Sequence, residues 1–104
     1  MKTVKDSQLV PVRELAGSFA EDKDAARKIR VDHLMPAVRN GKKIVLDFAG
    51  VDVATQSFIH AMISEAICSQ GVKALDLIEF KSCNRAVKSV VLTVLEYLLD
   101  APVR

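Results

Sequence analysis

Between Gly41 and Gly71 the apolar residues change their spacing once, and that change limits what the chain can fold into. Lys43-Ile44-Val45-Leu46-Asp47-Phe48 is a short apolar run bounded by Gly41 and Gly50. It reads as a strand, and its unbroken Ile-Val-Leu centre predicts a strand covered on both faces. From Gln56 to Gln70 the apolar residues Phe58, Ile59, Met62, Ile63, Ala66 and Ile67 instead recur at helical spacing. They predict an amphipathic helix, stopped by Gly71. A strand that feeds a helix across a short loop is half of a parallel crossover, so the chain is expected to be α/β.

The flanking segments extend this pattern. Ala74 to Phe80 predicts a second strand through Leu75-Asp76-Leu77-Ile78-Glu79-Phe80. Ser82 or Asn84 is suited to cap a last helix, where Val87, Val90, Val91, Val94, Leu95, Leu98 and Leu99 fall at helical spacing, with Pro102 just past its end. Upstream, Glu21 and Asp22 favour a helix start. Val31, Leu34, Met35 and Val38 share one helical face, but Ala26 and Ile29 point to another. Pro36 would crowd the carbonyl of Asp32, which predicts a kink or break near Leu34, before Asn40-Gly41 ends the segment. Leu9-Val10-Pro11-Val12 suggests a short edge strand, since proline is confined to edges and strand ends. The expected fold is a small parallel or mixed sheet with helices packed on it. Two firm strands are too few, so the N-terminal region must supply another. No repeat or linker divides residues 1–104, which predicts a single domain.

A chain of 104 residues holds one core, and half apolar with 27% charged residues is a globular composition. No apolar run approaches the ~18–20 residues that span a membrane. Met1 to Arg13 alternates charged and apolar residues, unlike a secretion signal, and the expected location is the cytoplasm. Cys68 and Cys83 are isolated from each other and are expected as reduced thiols. A net charge of +2 does not argue for nucleic acid, and a membrane partner is not expected. Yet Lys23 to Lys43 carries seven basic residues against two acidic ones, either a solvated helix face or a nucleic-acid-binding stretch.

In open α/β sheets, function gathers where strand carboxyl ends meet helix N-termini. The first such loop, Ala49 to Ser57, offers Thr55 or Ser57 as a helix cap, and that helix start would also stabilise an anion or an added phosphate. Its single Gly excludes a Walker-type cradle or a dinucleotide fingerprint. The second, Lys81 to Asn84, holds Cys83 between Lys81 and Arg85, a setting that can lower a thiol pKa. No His lies near it in sequence, and a small buried residue is the default reading. Cys68, at a helix end, is expected to be packed. His33 and His60 share no metal-ligand spacing with each other or with either Cys. His60 lies a helical turn from Ser57 and Ser64 while Asp47 ends the neighbouring strand, but no sharp nucleophile turn accompanies them. No enzyme activity, cofactor or metal is assigned.

Val45-Leu46-Asp47-Phe48-Ala49-Gly50-Val51, then Thr55-Gln56-Ser57-Phe58-Ile59, resembles the STAS domains of bacterial anti-sigma factor antagonists. It resembles still more the STAS-like domain family of unknown function. In the antagonists, Leu-Asp-Leu-x-x-Val precedes Asp-Ser-Ser-Gly, whose second Ser is phosphorylated by a partner kinase. Here Thr55 stands at the Asp, Gln56 at the first Ser, Ser57 at the phosphorylated Ser and Phe58 at the Gly. The resemblance implies a regulatory module that presents a partner- or anion-binding loop (Asp47, Asp52, Thr55, Gln56, Ser57) and the following helix to a protein, such as a histidine-kinase-like ATPase. Ser57 is the implied phosphorylation site. Action as a homodimer is compatible with this reading. A small-ligand or nucleotide sensor, or a nucleic-acid-binding accessory using residues 23–43, is the alternative.

Overall fold

The computed structural model describes residues 7–100, and Pro102 lies outside them. Three strands, β1 (Ser7–Pro11), β3 (Lys43–Asp47) and β5 (Ile78–Lys81), form a parallel sheet in the order β1-β3-β5. A second pairing joins two-residue strands β2 (Phe19–Ala20) and β4 (Val53–Ala54), also parallel. The short helix α1 (Val12–Ala16) follows β1. The principal helices are α2 (Lys23–Ile29), α3 (Met35–Arg39), α4 (Gln56–Gln70), α5 (Val72–Leu77) and α6 (Arg85–Asp100).

The chain steps twice in the same direction across the sheet, from β1 to β3 and from β3 to β5. With right-handed crossovers both connections lie on one face. Accordingly α2 packs on α4, and α4 on α6. Val10, Leu46 and Phe80 share a row across the sheet, and Ile44 and Ile78 another, all directed at this helical layer. The opposite row is Leu9, Val45 and Glu79; Leu9 is 51% exposed, Val45 half-buried and Glu79 exposed. The expectation that β3 is covered on both faces is therefore corrected. A run of three β-formers satisfies either arrangement, and only the direction of the crossovers decides between them.

The break near Leu34 takes a defined form. Arg30–Leu34 is one π-helical turn, with the Met35 amide donating to the Arg30 carbonyl, five residues back. Such a turn inserts one residue into the helical register. Ala26 and Ile29 before it and Leu34, Met35 and Val38 after it consequently all enter the core, while Val31 is 50% exposed. The two conflicting stripes in the sequence are one stripe shifted by this insertion. Pro36 follows directly on this turn, where the regular ladder of bonds four residues apart is already interrupted.

Helix α4 spans the range its stripe predicts, and all six stripe residues are buried. Each large one contributes roughly 1.5–3 kcal/mol by leaving water. The predicted strand from Ala74 is corrected. The chain turns at Gly71, whose φ of +64° favours a residue without a side chain, and resumes as helix through Leu77. Strand pairing starts only at Ile78, opposite Ile44, because Val72–Leu77 close their backbone bonds within a helix. Among the described residues no helix is long and apolar enough to cross a membrane.

Candidate functional site

The loop between β3 and α4 is held from three sides. Asp47 folds its carboxylate back to accept from the Ala49 amide at 3.0 Å, and the Val51 amide closes the turn on the Phe48 carbonyl at 2.9 Å. Gly50 has φ +81°, and a Cβ there would lie 2.4 Å from Cδ of Arg13, whose stem crosses the loop. On the second side, the Asp52 and Val53 amides donate to the Ser18 carbonyl at 2.8 and 3.2 Å, and the Thr55 amide to the Ala20 carbonyl at 3.0 Å. On the third, Asn84 Nδ2 donates to the Asp52 carbonyl at 3.0 Å, with the Val51 carbonyl at 3.4 Å. The amides of Ala49, Val51, Asp52, Val53 and Thr55 are thus all engaged, which ties the loop to the rest of the fold.

This frame fixes the start of α4. Thr55 is its N-cap, with Oγ1 accepting from the Phe58 amide at 3.1 Å. Phe58 is fully buried, so the position that holds Gly in the antagonist pattern here anchors the helix in the core. Ser57 is exposed, its Oγ touching only the Thr55 hydroxyl at 3.4 Å. The two hydroxyls thus divide the roles that the sequence left open between them: Thr55 caps and Ser57 faces solvent.

Ser57 lies in an open groove of about 560 Å³ between three helices. Its floor is α4, through Gln56, Ser57, His60 and Ala61. One wall is Lys23 at the start of α2, and the other is Thr93, Val94 and Tyr97 of α6. His60 and Tyr97 stand side by side with ring centroids 6.3 Å apart. The paired strands β2 and β4 lead into α2 and α4 and place Phe19 opposite Val53, 55% and 42% exposed. Of the five residues assigned to the loop, Gln56 and Ser57 line the groove. Thr55 is engaged in the cap, Asp47 holds the turn, and the exposed Asp52 contributes its backbone to the clamps. Lys23 and Tyr97 were not legible as site residues, since only the packing of α2 and α6 on α4 brings them there. Asp47 is committed to Ala49 while His60 stands against Tyr97, so no Ser-His-Asp relay is formed.

The second loop is used inward. Asn84 caps α6, its Oδ1 accepting from the Val87 amide at 2.7 Å, while its other end clamps the first loop. Cys83 is half-buried, and burial pushes its thiol up from the ordinary value of 9.0, with Lys88 opposing and Asp47 adding to the shift. The thiol is not activated. Cys68, expected to be packed, is exposed; like Cys83 it is a free thiol. Among the described residues no cluster of metal-ligating side chains occurs, and the His33 ring instead meets the Gln8 amide at 2.9 Å.

The basic residues of 23–43 do not form one patch. Lys23 lines the groove at the start of α4, whereas Arg39 lines a separate hollow with Gln70 at its far end. A fifteen-residue helix separates the two by roughly 20 Å. Between them Arg30 is engaged, with Nη1 donating to the Ala61 carbonyl at 2.9 Å and Nε 3.4 Å from Glu65.

No curated protein and no solved structure matches the chain. A family profile described as a STAS-like domain of unknown function does match, over residues 25–88. That span runs from α2 through the π-helical turn, the central strand, the clamped loop and α4 to the first turn of α6. With well over half of the sequence inside the profile, the chain belongs to the family of STAS-like domains of unknown function.

Proposed function

We propose that the chain is a non-enzymatic, regulatory protein-interaction module that meets its partner through the Ser57 loop and the exposed side of α4. The observation that carries this reading is a clamped frame presenting the exposed Ser57 hydroxyl, whose one side-chain neighbour in hydrogen-bond reach is Thr55 Oγ1. The clamped loop holds Ser57 in solvent at a groove lined by the exposed Tyr97, and the strands that lead into α2 and α4 expose Phe19 and Val53. Exposed Tyr and Phe are residue types enriched at protein contacts. Phosphorylation of Ser57 adds about −1.5 to −2 charges at a helix N-terminus, which tolerates them, while opposing an acidic or apolar partner surface. A histidine-kinase-like ATPase is the partner class that the antagonist-like pattern supports, with the cytoplasm as the setting.

The test is affinity capture from the native cell extract with wild type, Ser57→Ala and Ser57→Glu, read by mass spectrometry. A partner held by wild type and Ser57→Ala but lost by Ser57→Glu is the expected result. A partner held equally by all three sinks the switch.

The groove itself favours a second reading, a small-ligand or nucleotide sensor. Its volume lies within the usual range of ligand sites, roughly 300–1,000 Å³, and Lys23 supplies a cation. A ligand at a hundredfold its Kd stabilises by about 2.7 kcal/mol. A nucleotide panel in a thermal-shift assay therefore separates the two readings.

A further inference from the structure

We propose that the chain forms a two-fold symmetric homodimer in which α6 packs antiparallel against α6 of a second copy. Helix α6 packs on α4, and its row Val87, Val91, Val94 and Leu98 is buried. One flank of that row, with Thr93 and Tyr97, faces the groove. The other flank carries Leu92, Leu95 and Leu99, respectively 51% exposed, half-buried and 37% exposed. Together with Arg85 and Lys88 before them, these residues follow one another at alternating steps of three and four. That is the spacing of a seam between paired helices. Leu15, Val31 and Val72, by contrast, are exposed singly on separate elements, which is ordinary for a protein surface.

The charges along this flank select the occupant. Lys88 and Glu96 lie four residues before and four residues after Leu92, and both are exposed. Glu96 borders the seam, one turn from both Leu92 and Leu99. Among the described residues the one ion pair is Arg30–Glu65, so neither Lys88 nor Glu96 is paired within its own chain. A partner surface of one sign would be attracted at one end of the seam and repelled at the other. A parallel copy would set Lys88 against Lys88. A copy turned about Leu92 runs antiparallel and sets Lys88 of each chain opposite Glu96 of the other, a match that the two-fold axis makes twice. It also brings Arg85 to the last turn of the facing helix, where the helix dipole favours a cation. One helix pair lies at the small end of specific interfaces, below roughly 1,200 Å², so the dissociation constant is expected in the micromolar range. The groove is on the other flank, and the Ser57 surface stays open in the dimer.

Sedimentation equilibrium of the full chain between about 10 μM and about 1 mM tests this. Wild type should pass from monomer to dimer over that range. Leu92→Glu changes an exposed side chain at the axis and should weaken association roughly tenfold or more. Lys88→Glu and Glu96→Lys each set like charges opposite one another and should each weaken self-association about fivefold in low salt. Mixed in equal amounts, these two variants should recover the wild-type affinity, since every facing pair is again of opposite sign. Ser57→Glu should leave association unchanged, and circular dichroism checks that each variant folds. A wild-type chain still monomeric at about 1 mM overturns the proposal. So does a dimer indifferent to Leu92→Glu, or one dissolved by Ser57→Glu or Tyr97→Ser in the groove or by Leu9→Glu on the open sheet face. Failure of the mixed charge variants to recover affinity would equally overturn it, because the copies would then not run antiparallel about Leu92.

Discussion

Of the three connections that leave the carboxyl edge of the sheet, those after β3 and β5 treat their polar side chains in opposite ways. The one after β3 is stitched down through its backbone, so that the first turn of α4 presents an exposed serine that meets only the Thr55 hydroxyl. The one after β5 turns its chemistry inward: Asn84 is engaged at both ends of its amide, and burial makes the Cys83 thiol less acidic. Position at the edge where α/β proteins gather function is thus not enough to mark a site. What separates a presenting loop from a supporting one is which side chains the frame leaves unpartnered, and here the second loop is part of the frame of the first.

The comparison breaks most completely if the anchor of the presenting helix is removed. Phe58 is fully buried in the first turn of α4, and Phe58→Ala should cost about 3–5 kcal/mol, by lost transfer energy plus the cavity left behind. Urea denaturation monitored by circular dichroism measures it. A loss under 1 kcal/mol would mean that the helix start does not depend on its core contact.

The next experiment grades three polar groups of the same edge. Asn84→Ala removes a helix cap and a clamp on the neighbouring loop, so about 2 kcal/mol should be lost. Thr55→Ala removes a cap alone and should cost about 1 kcal/mol. Ser57→Ala should stay within about 0.5 kcal/mol, as for an exposed side chain without structural work. If Ser57→Ala proved as costly as Thr55→Ala, Ser57 would belong to the frame and the contrast between the loops would collapse.

How much of this was legible follows from the range over which each force acts. The α4 stripe and the stop at Gly71 are local patterns that the structure repeats residue for residue, and of the two hydroxyls offered as its cap the structure uses Thr55. The π-helical turn left a trace, two stripes out of phase around Ile29 and Leu34, but a proline-induced kink accounts for that trace equally well. The segment Ala74–Leu77 was read as strand because Leu75 and Leu77 alternate with polar residues. They instead continue the helix that starts after Gly71, and pairing with β3 begins at Ile78. The groove was the least legible feature. Gln56 and Ser57 stood out from their loop position, whereas Lys23, Ala61 and Tyr97 acquire a shared surface only when three helices pack side by side. The exposure of Cys68 was hidden for a similar reason, since it lies on the one side of α4 that neither the sheet nor a neighbouring helix covers.

The smallest effect comes from the two thiols, and it sharpens the comparison through pH. Cys68 on the α4 ridge is exposed, while burial beside the supporting loop raises the pKa of Cys83. Only the thiolate reacts, so a raised pKa lowers the reactive fraction at every pH below it. Alkylation followed by mass spectrometry at pH 7.5 should therefore label Cys68 first, with Cys83 lagging and catching up only in more alkaline buffer. The linked stability has a definite sign. The folded state prefers the neutral thiol, so the contribution of Cys83 is fully present below the unfolded value near 9.0. It is lost as the pH rises through the higher folded value. Cys83→Ala should flatten the fall in Tm of the wild-type protein above pH 9, and Cys68→Ala should leave it unchanged. Equal labelling of both thiols at pH 7.5 would show that Cys83 is open to solvent, and the second loop would then present a side chain just as the first does.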